Sequence, residues 1–269
     1  MISINLTTTF SRQSLCAQTV FSLIQQSTLP DKIVIWVSNE PYLRDAGIQS
    51  EPKWIKELNK IHNIIEIKWT KNIGPYRKLI PALQSASEGD IIITADDDII
   101  YGKHWLKHLV NCSAEHPNKI IAARVRKITH NTLRKRTSYT CWPIITEKQT
   151  IASEFIVTHG GGALFRKELL KPELIKNEEY LNICPTTDDL WFSKIILESA
   201  IPIFVCPLAL DELNFIDHRD GLDNVNTLKP QKMLSKIYKN LILYPLGWLG
   251  ISICGNDKSF KKIESHKFH

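Results

Sequence analysis

Three consecutive carboxylates, Asp96-Asp97-Asp98, follow the apolar run Ile91 to Ala95 (IIITA). Carboxylates this close repel one another unless a cation sits among them or some take up protons. A hard divalent ion, held by one or two carboxylates plus substrate phosphates, is the usual solution. An isolated acidic turn is equally compatible with plain solvation. A second acidic pair, Asp188-Asp189, opens a helical run far downstream, after Pro185-Thr186-Thr187. Thr187 is the expected N-cap there, and both aspartates suit the positive end of a helix. Between the two clusters lies His159-Gly160-Gly161-Gly162, whose glycines permit backbone conformations and close approaches that side chains forbid. A lone histidine such as His218, in Asp217-His218-Arg219-Asp220, is more often a surface or core residue than a ligand.

These groups need a scaffold, and the chain up to the acidic triplet alternates strand-like and helix-like segments. Strands are expected at Ile2 to Leu6, Ile33 to Val37, Ile64 to Trp69 and Ile91 to Ala95; helices at Gln13 to Gln25, Lys53 to Asn59 and Tyr76 to Ala86. The continuous apolar run IVIWV is expected of a strand buried on both faces of a parallel sheet. This rhythm argues for right-handed crossovers and a mostly parallel α/β sheet. In such sheets the ligand crevice lies at the carboxyl ends of the strands, which is where Asp96 stands. Beyond it, Lys103 to Ala114 reads as a helix and Ile120 to Val125 as a strand, while Arg126 to Gln149 reads as a loop or β-excursion.

The 269 residues are 43% hydrophobic and 23% charged, an ordinary globular composition. A formal charge of +6 suits an anionic small molecule or an anionic membrane surface. It is too weak and scattered to imply nucleic acid. No two of the six cysteines form a CxxC pair, which argues against a zinc ribbon or a thioredoxin-like site. The opening MISINLTTTFSR lacks a basic stretch followed by an apolar run, so no secretory leader is expected. Free thiols in a reducing cytoplasm are the simplest expectation. No stretch has the apolar length needed to span a bilayer.

Taken together, the Thr7-Thr8-Thr9 turn with Arg12, Ser38 after the second strand, Asn72 to Leu79, Gly89 to Tyr101, the GGGALFR segment and Thr187 to Trp191 resemble the GT-A glycosyltransferases. The likeness is to the family 2-like bacterial enzymes and covers roughly residues 1 to 220. It implies a Rossmann-like, mostly parallel central sheet flanked by helices. It further implies that Thr7, Thr8, Arg12 and Ser38 cradle the nucleotide base and ribose, with Lys78 facing base or phosphate. By the same resemblance Asp96 and Asp98 bind ribose and a metal, Mn2+ or Mg2+, with Asp97 between them in the donor site but more structural in role. Gly161 and Gly162 let the backbone pass close to the donor sugar, His218 is a third metal ligand, and Asp189, then Asp188, is the base. The implied activity is that of an inverting hexosyltransferase moving a sugar from a nucleotide sugar, UDP-linked, to a hydroxyl of a surface glycan such as lipopolysaccharide or capsule.

The expected organisation is a GT-A domain over 1–225, with a nucleotide-binding half (1–100) and an acceptor half (101–225), followed by a C-terminal helical tail over 226–269. The basic stretch from Arg124 to Arg136 reads as a solvated face more readily than as a site for an anionic acceptor. The tail segment Met233 to Leu249 mixes apolar and aromatic residues with Lys232, Lys236 and Lys239. It reads either as an interfacial amphipathic helix, with the protein peripheral on the inner face of the cytoplasmic membrane, or as a helix closing the core. Competing readings are a nucleotidyltransferase, although the Thr-rich first turn lacks the Gly-rich, Arg-containing loop of that class, and a non-catalytic glycan-assembly subunit.

Overall fold

A computed structural model describes residues 1–218, 226–227 and 238–268. The expected alternation is present. Strands β1 (Ile2–Thr7), β2 (Lys32–Val37), β3 (Ile65–Trp69) and β4 (Ile91–Thr94) alternate with helices α1 (Gln13–Leu23), α2 (Lys53–Asn59) and α3 (Ile80–Ser85). There follow β5 (Ile99–Tyr101), α4 (Trp105–Glu115), β6 (Ile120–Ala122), β7 (Val125–Lys127), β8 (Thr150–Ile151), β9 (Phe155–Val157) and β10 (Ala163–Arg166). Then come α5 (Pro172–Lys176), α6 (Tyr180–Ile183), α7 (Asp188–Glu198), β11 (Ile203–Val205), α8 (Pro207–Leu210) and β12 (Leu213–Phe215), and in the tail α9 (Tyr244–Trp248) and α10 (Gly255–Ser265).

The central sheet has the order β3-β2-β1-β4-β10-β6-β11-β8. β3, β2, β1 and β4 run parallel, β10 is antiparallel to both its neighbours, and β11 is parallel to β6. Alternate side chains of each strand point to opposite faces, so the sheet buries apolar residues on both. On one face Ile4, Leu6, Ile33, Ile35 and Ile93 pack with Val20 and Leu23 of α1 and Leu106 and Leu109 of α4. On the other, Val34, Trp36 and Ile92 join Tyr76, Leu79 and the α7 residues Trp191, Phe192 and Ile196. This is an α/β fold with a mixed, mostly parallel central sheet flanked by helices. β1 and β4 end side by side, at Thr7 and Thr94, which puts the Thr turn and the three aspartates on one rim.

Three local expectations are revised. The helix expected over Tyr76 to Ala86 is broken into a 3-10 turn, Gly74–Lys78, and α3. Pro75 and Pro81 each remove a backbone donor there. The strand expected over Ile120 to Val125 ends at Ala122, and the chain leaves the sheet to form β7 against β9. Thr187 does stand at the N-cap of α7, but at φ −127°, ψ 57° its side chain makes no capping hydrogen bond. That ψ departs from the extended backbone that normally aims an N-cap hydroxyl at the helix.

The tail divides. Met233, Lys232 and Lys236 lie outside the described residues, as do Arg219, Asp220 and the expected boundary at 225. The described part is a π-helical turn, Lys239–Leu243, running into α9 and then α10. α10 docks on α7 and helps to close the core: Ile263 and Cys254 are buried, and Lys194 Nζ donates to the Ile263 carbonyl at 2.6 Å. Leu241, Ile242, Tyr244 and Trp248 remain exposed. Among the described residues no helix is long and apolar enough to cross a membrane.

Candidate active site

A cavity of 610 Å³ opens at the carboxyl ends of β1 and β4. Thr7, Thr8, Arg12, Lys78, Asp96, Asp97, Asp98, Gly160, Gly161, Asp188 and Asp189 all line it. Acids separated by a long stretch of sequence thus share one chamber.

On the rim that carries the Thr turn and the acidic triplet, the buried and half-buried charges are engaged. Arg12 bridges Asp97 and Asp98, at 2.9 Å from Asp98 Oδ2. Asp97 is buried, and its Oδ2 accepts the Thr8 hydroxyl at 2.6 Å. The Thr7 hydroxyl donates to the Trp36 carbonyl at 2.8 Å. Ser38 stands away from the cavity lining. It is buried, its hydroxyl accepts the Glu40 N–H at 3.2 Å, and its carbonyl accepts from Ile48 at 2.8 Å.

Lys78 does not lie on an open helix face; it is buried between the two acidic clusters. Its Nζ stands 2.7 Å from Asp96 Oδ1 and 2.9 Å from Asp188 Oδ2. Burial disfavours the ammonium, but Asp188 and Asp96 outweigh that and raise its pKa well above the ordinary lysine range. Asp96 is pushed up to about 7, by burial and by Asp98 and Asp188 acting against Lys78. Asp188 also lies above the usual carboxylate range, by burial and by repulsion from Asp189 against Lys78.

Asp189 is different. Its Oδ1 accepts the His159 backbone N–H at 2.8 Å and stands 3.2 Å from His159 Nδ1. Burial would raise it, but the two His159 contacts and the Lys78 charge prevail and hold it below the usual carboxylate range. Asp189 is therefore ionised at neutral pH, while Asp188 is occupied by a lysine.

The glycine loop is fitted to this geometry. A Cβ on Gly160 would lie 2.0 Å from Asp96 Oδ2, and one on Gly161 would lie 2.6 Å from Arg124 Cβ. Gly162, at φ 106°, stands against the Trp105 ring and outside the cavity lining. Tyr101 joins this loop to the acidic turn: its hydroxyl accepts the Asp96 N–H at 2.9 Å and donates to the Gly160 carbonyl at 2.6 Å.

His218 Nε2 lies 2.8 Å from Asp98 Oδ2, and its Nδ1 is buried without a partner. A carboxylate oxygen and an imidazole nitrogen thus stand side by side; the carboxylate suits a hard ion such as Mn2+ or Mg2+, and the imidazole suits a transition metal, Mn2+ rather than Mg2+. Asp96, by contrast, is tied to Lys78. Among the described residues no three His, Cys, Asp or Glu side chains form a ready-made cage.

Several lining groups are not evident from the sequence. Arg77 is buried against Asp45 at 2.9 Å and donates to the Thr8 carbonyl at 3.1 Å, which ties the 42–45 loop to the first turn. Tyr42, Leu43 and Arg44 extend the wall beyond it. The contact of His159 with Asp189 is likewise invisible in a linear reading.

No curated protein matches the chain by sequence. Among solved structures, S. aureus TarS 1-349 and the same protein in complex with UDP each align with a TM-score of 0.41 and 16% identity. Each alignment covers 76% of this chain and 57% of that one, so the chain spans little more than half the length of that structure. Residues 6–173 match the family described as Glycosyl transferase family 2. That span takes in the Thr turn, the three aspartates and the glycine loop, and the chain belongs to glycosyl transferase family 2, with a GT-A-like fold.

Proposed function

We propose that this glycosyltransferase moves a hexose, with inversion, from a UDP-sugar to a hydroxyl of a surface glycan of the lipopolysaccharide or capsule kind. The observation that carries this reading is one cavity containing both the Asp96–Asp98 turn and Asp189, hydrogen-bonded to His159, with Lys78 Nζ between the clusters. The nucleotide would lie along Thr7, Thr8 and Arg12, against the wall closed by Arg77 and Asp45. Asp189 would accept the proton of the acceptor hydroxyl as its oxygen attacks the anomeric carbon and the diphosphate departs from the opposite side. Lys78 supplies positive charge beside the reacting region, where charge builds up on the leaving group. Asp98 and His218 would hold Mn2+ or Mg2+, which as a Lewis acid would neutralise the diphosphate. Asp96 could join them only after releasing Lys78. The exposed apolar side chains of the tail support residence at an anionic membrane surface.

Calorimetric titration of UDP with MnCl2 present, followed by a panel of nucleotide sugars read by release of nucleoside diphosphate, tests the assignment. UDP should bind, Asp98→Ala should abolish binding, and Asp189→Asn should bind UDP normally but not turn over. Failure of the wild-type protein to bind UDP sinks the proposal. Release of pyrophosphate from a nucleoside triphosphate would replace it with nucleotidyl transfer.

A further inference from the structure

The buried and half-buried cations on the donor side of the cavity face carboxylates: Arg12 faces Asp97 and Asp98, Arg77 faces Asp45, and Lys78 faces Asp96 and Asp188, while Arg44 is exposed on the wall beyond them. Arg126, which lines the same cavity, breaks that rule. Among the described residues no carboxylate lies within ion-pair distance of its guanidinium, and its Nε is buried without a partner. The group is nevertheless firmly placed. Nη1 donates to the Trp142 carbonyl at 2.7 Å, and the guanidinium lies over the Tyr139 ring, 4.9 Å from its centroid. Holding a partly buried cation without a counter-charge is costly, and a fixed site of that kind suits an anion that arrives from outside.

The backbone explains the placement. The chain leaves the main sheet after Ala122, with Arg124 in the bend that follows and Arg126 in β7. Both line the cavity. Arg124 Nη1 donates to the Thr158 hydroxyl at 3.0 Å, and Thr158 directly precedes the histidine that holds Asp189. Tyr139 lies within the electrostatic reach of all three. Burial chiefly pushes its hydroxyl up to about 12, with the charge of Asp189 adding to the rise and Arg126 and Arg124 opposing it. The pair is thus linked to Asp189 through Thr158 and His159, and the Arg124 guanidinium also lies over the Phe215 ring, 5.6 Å from its centroid.

On the glycosyl-transfer reading above, we propose that Arg126, with Arg124 beside it, binds an anionic group of the acceptor, a phosphate or a carboxylate, and so aligns the acceptor hydroxyl with Asp189. A guanidinium fork stacked on an aromatic ring presents parallel N–H donors to either anion, a geometry lysine does not reproduce. The basic stretch is thus divided in function. Arg124 and Arg126 turn into the site, whereas Arg136 pairs with Glu264 and Arg134 and Lys135 are exposed.

The test uses the full chain with UDP and MnCl2 present. Glucose, glucose 6-phosphate and glucuronate are titrated as acceptor-side probes by saturation-transfer NMR, and UDP affinity is measured in parallel. At least one anionic probe should bind about tenfold more tightly than glucose, the size of one charge-assisted hydrogen bond. The better of the two identifies the anion as phosphate or carboxylate. Arg126→Gln should remove that preference and Arg126→Lys should retain part of it, with UDP affinity within about twofold of wild type and melting temperatures reporting the fold. Equal binding of all three probes, or no binding by either anion, overturns the inference. So does a loss of UDP affinity in Arg126→Gln, because that would put the arginine on the donor. If wild-type protein does not bind UDP at all, it is the donor assignment that falls.

Discussion

As the proposed base, Asp189 has to be ionised before the acceptor arrives, and His159 favours that state. His159 is fully buried, stacked on Phe165 and edge-on to Phe192, with its backbone and ring nitrogens both turned to Asp189 Oδ1. His159→Phe keeps the aromatic packing and the backbone N–H but removes the ring donor. The pKa of Asp189, now depressed, should then rise, and the acid limb of the rate–pH profile should move to higher pH by up to about one unit. The sign is fixed: losing a group that favours the carboxylate makes it harder to ionise. A limb that stays put or moves down would show that the ring does not tune the base. Asp189→Asn should cost about 10²–10⁴ in turnover at unchanged UDP affinity. The aspartate could be read from the sequence because a helix start and a family resemblance mark it. His159 could not, because beside three glycines it reads as part of a turn and its acidic partner is remote in sequence.

At the scale of elements, two joints hold the site in shape. The first is the glycine loop, where Gly162 at φ 106° presses on Trp105 and a Cβ would come within 2.6 Å of the ring. Gly162→Ala combines backbone strain with overpacking and should lower stability by about 1–3 kcal/mol in urea denaturation. An unchanged midpoint would mean that the loop has another conformation available. The second joint is Asp257 at the start of α10. Its Oδ1 accepts the Tyr139 N–H at 2.7 Å, and its Oδ2 accepts the Ser138 hydroxyl at 2.7 Å and the Ile253 N–H at 2.8 Å. Those bonds tie the tail to the loop that carries Tyr139, and so to the Arg126 site. Asp257→Ala leaves buried donors unpaired and should cost about 2–4 kcal/mol, while also weakening any anionic acceptor probe. The strands that set the rim were legible because IVIWV and IIITA are unbroken apolar runs. The split near Lys78 was missed because apolar spacing continues through Pro75 and Pro81, although proline chemistry was there to be read. Nothing in the spacing announces Asp257, since its partners lie in a segment without periodicity.

Over the whole molecule, the sequence made the sheet and the acidic rim legible, because periodicity and strand ends are local properties. The tail's division of labour was not legible, because burial depends on what a segment meets. α10 meets α7 and becomes core, whereas the stretch before it meets the 131–141 loop along one side only. Asn131 Nδ2 donates to the Trp248 carbonyl at 3.1 Å, and the Ser138 N–H donates to the Gly247 carbonyl at 2.8 Å. Leu241, 72% exposed, then shares the surface with Ile242, Tyr244, Trp248, Leu249 and Ile251, and Leu133, Arg134 and Lys135 are exposed on the adjoining loop. Apolar and aromatic side chains beside cations are the combination that enters the headgroup region of anionic bilayers, the first by burial and the second by charge. The protein should therefore sediment with vesicles of phosphatidylcholine and phosphatidylglycerol more than with phosphatidylcholine alone, and raised salt should weaken the difference. The double substitution Leu241→Ser, Trp248→Ser should reduce binding severalfold while stability stays within about 0.5 kcal/mol, because exposed side chains contribute little to folding. If both vesicle types pellet the same amount of protein, or the double variant binds as well as wild type, the exposed band has some other use and an acceptor need not be met at a membrane.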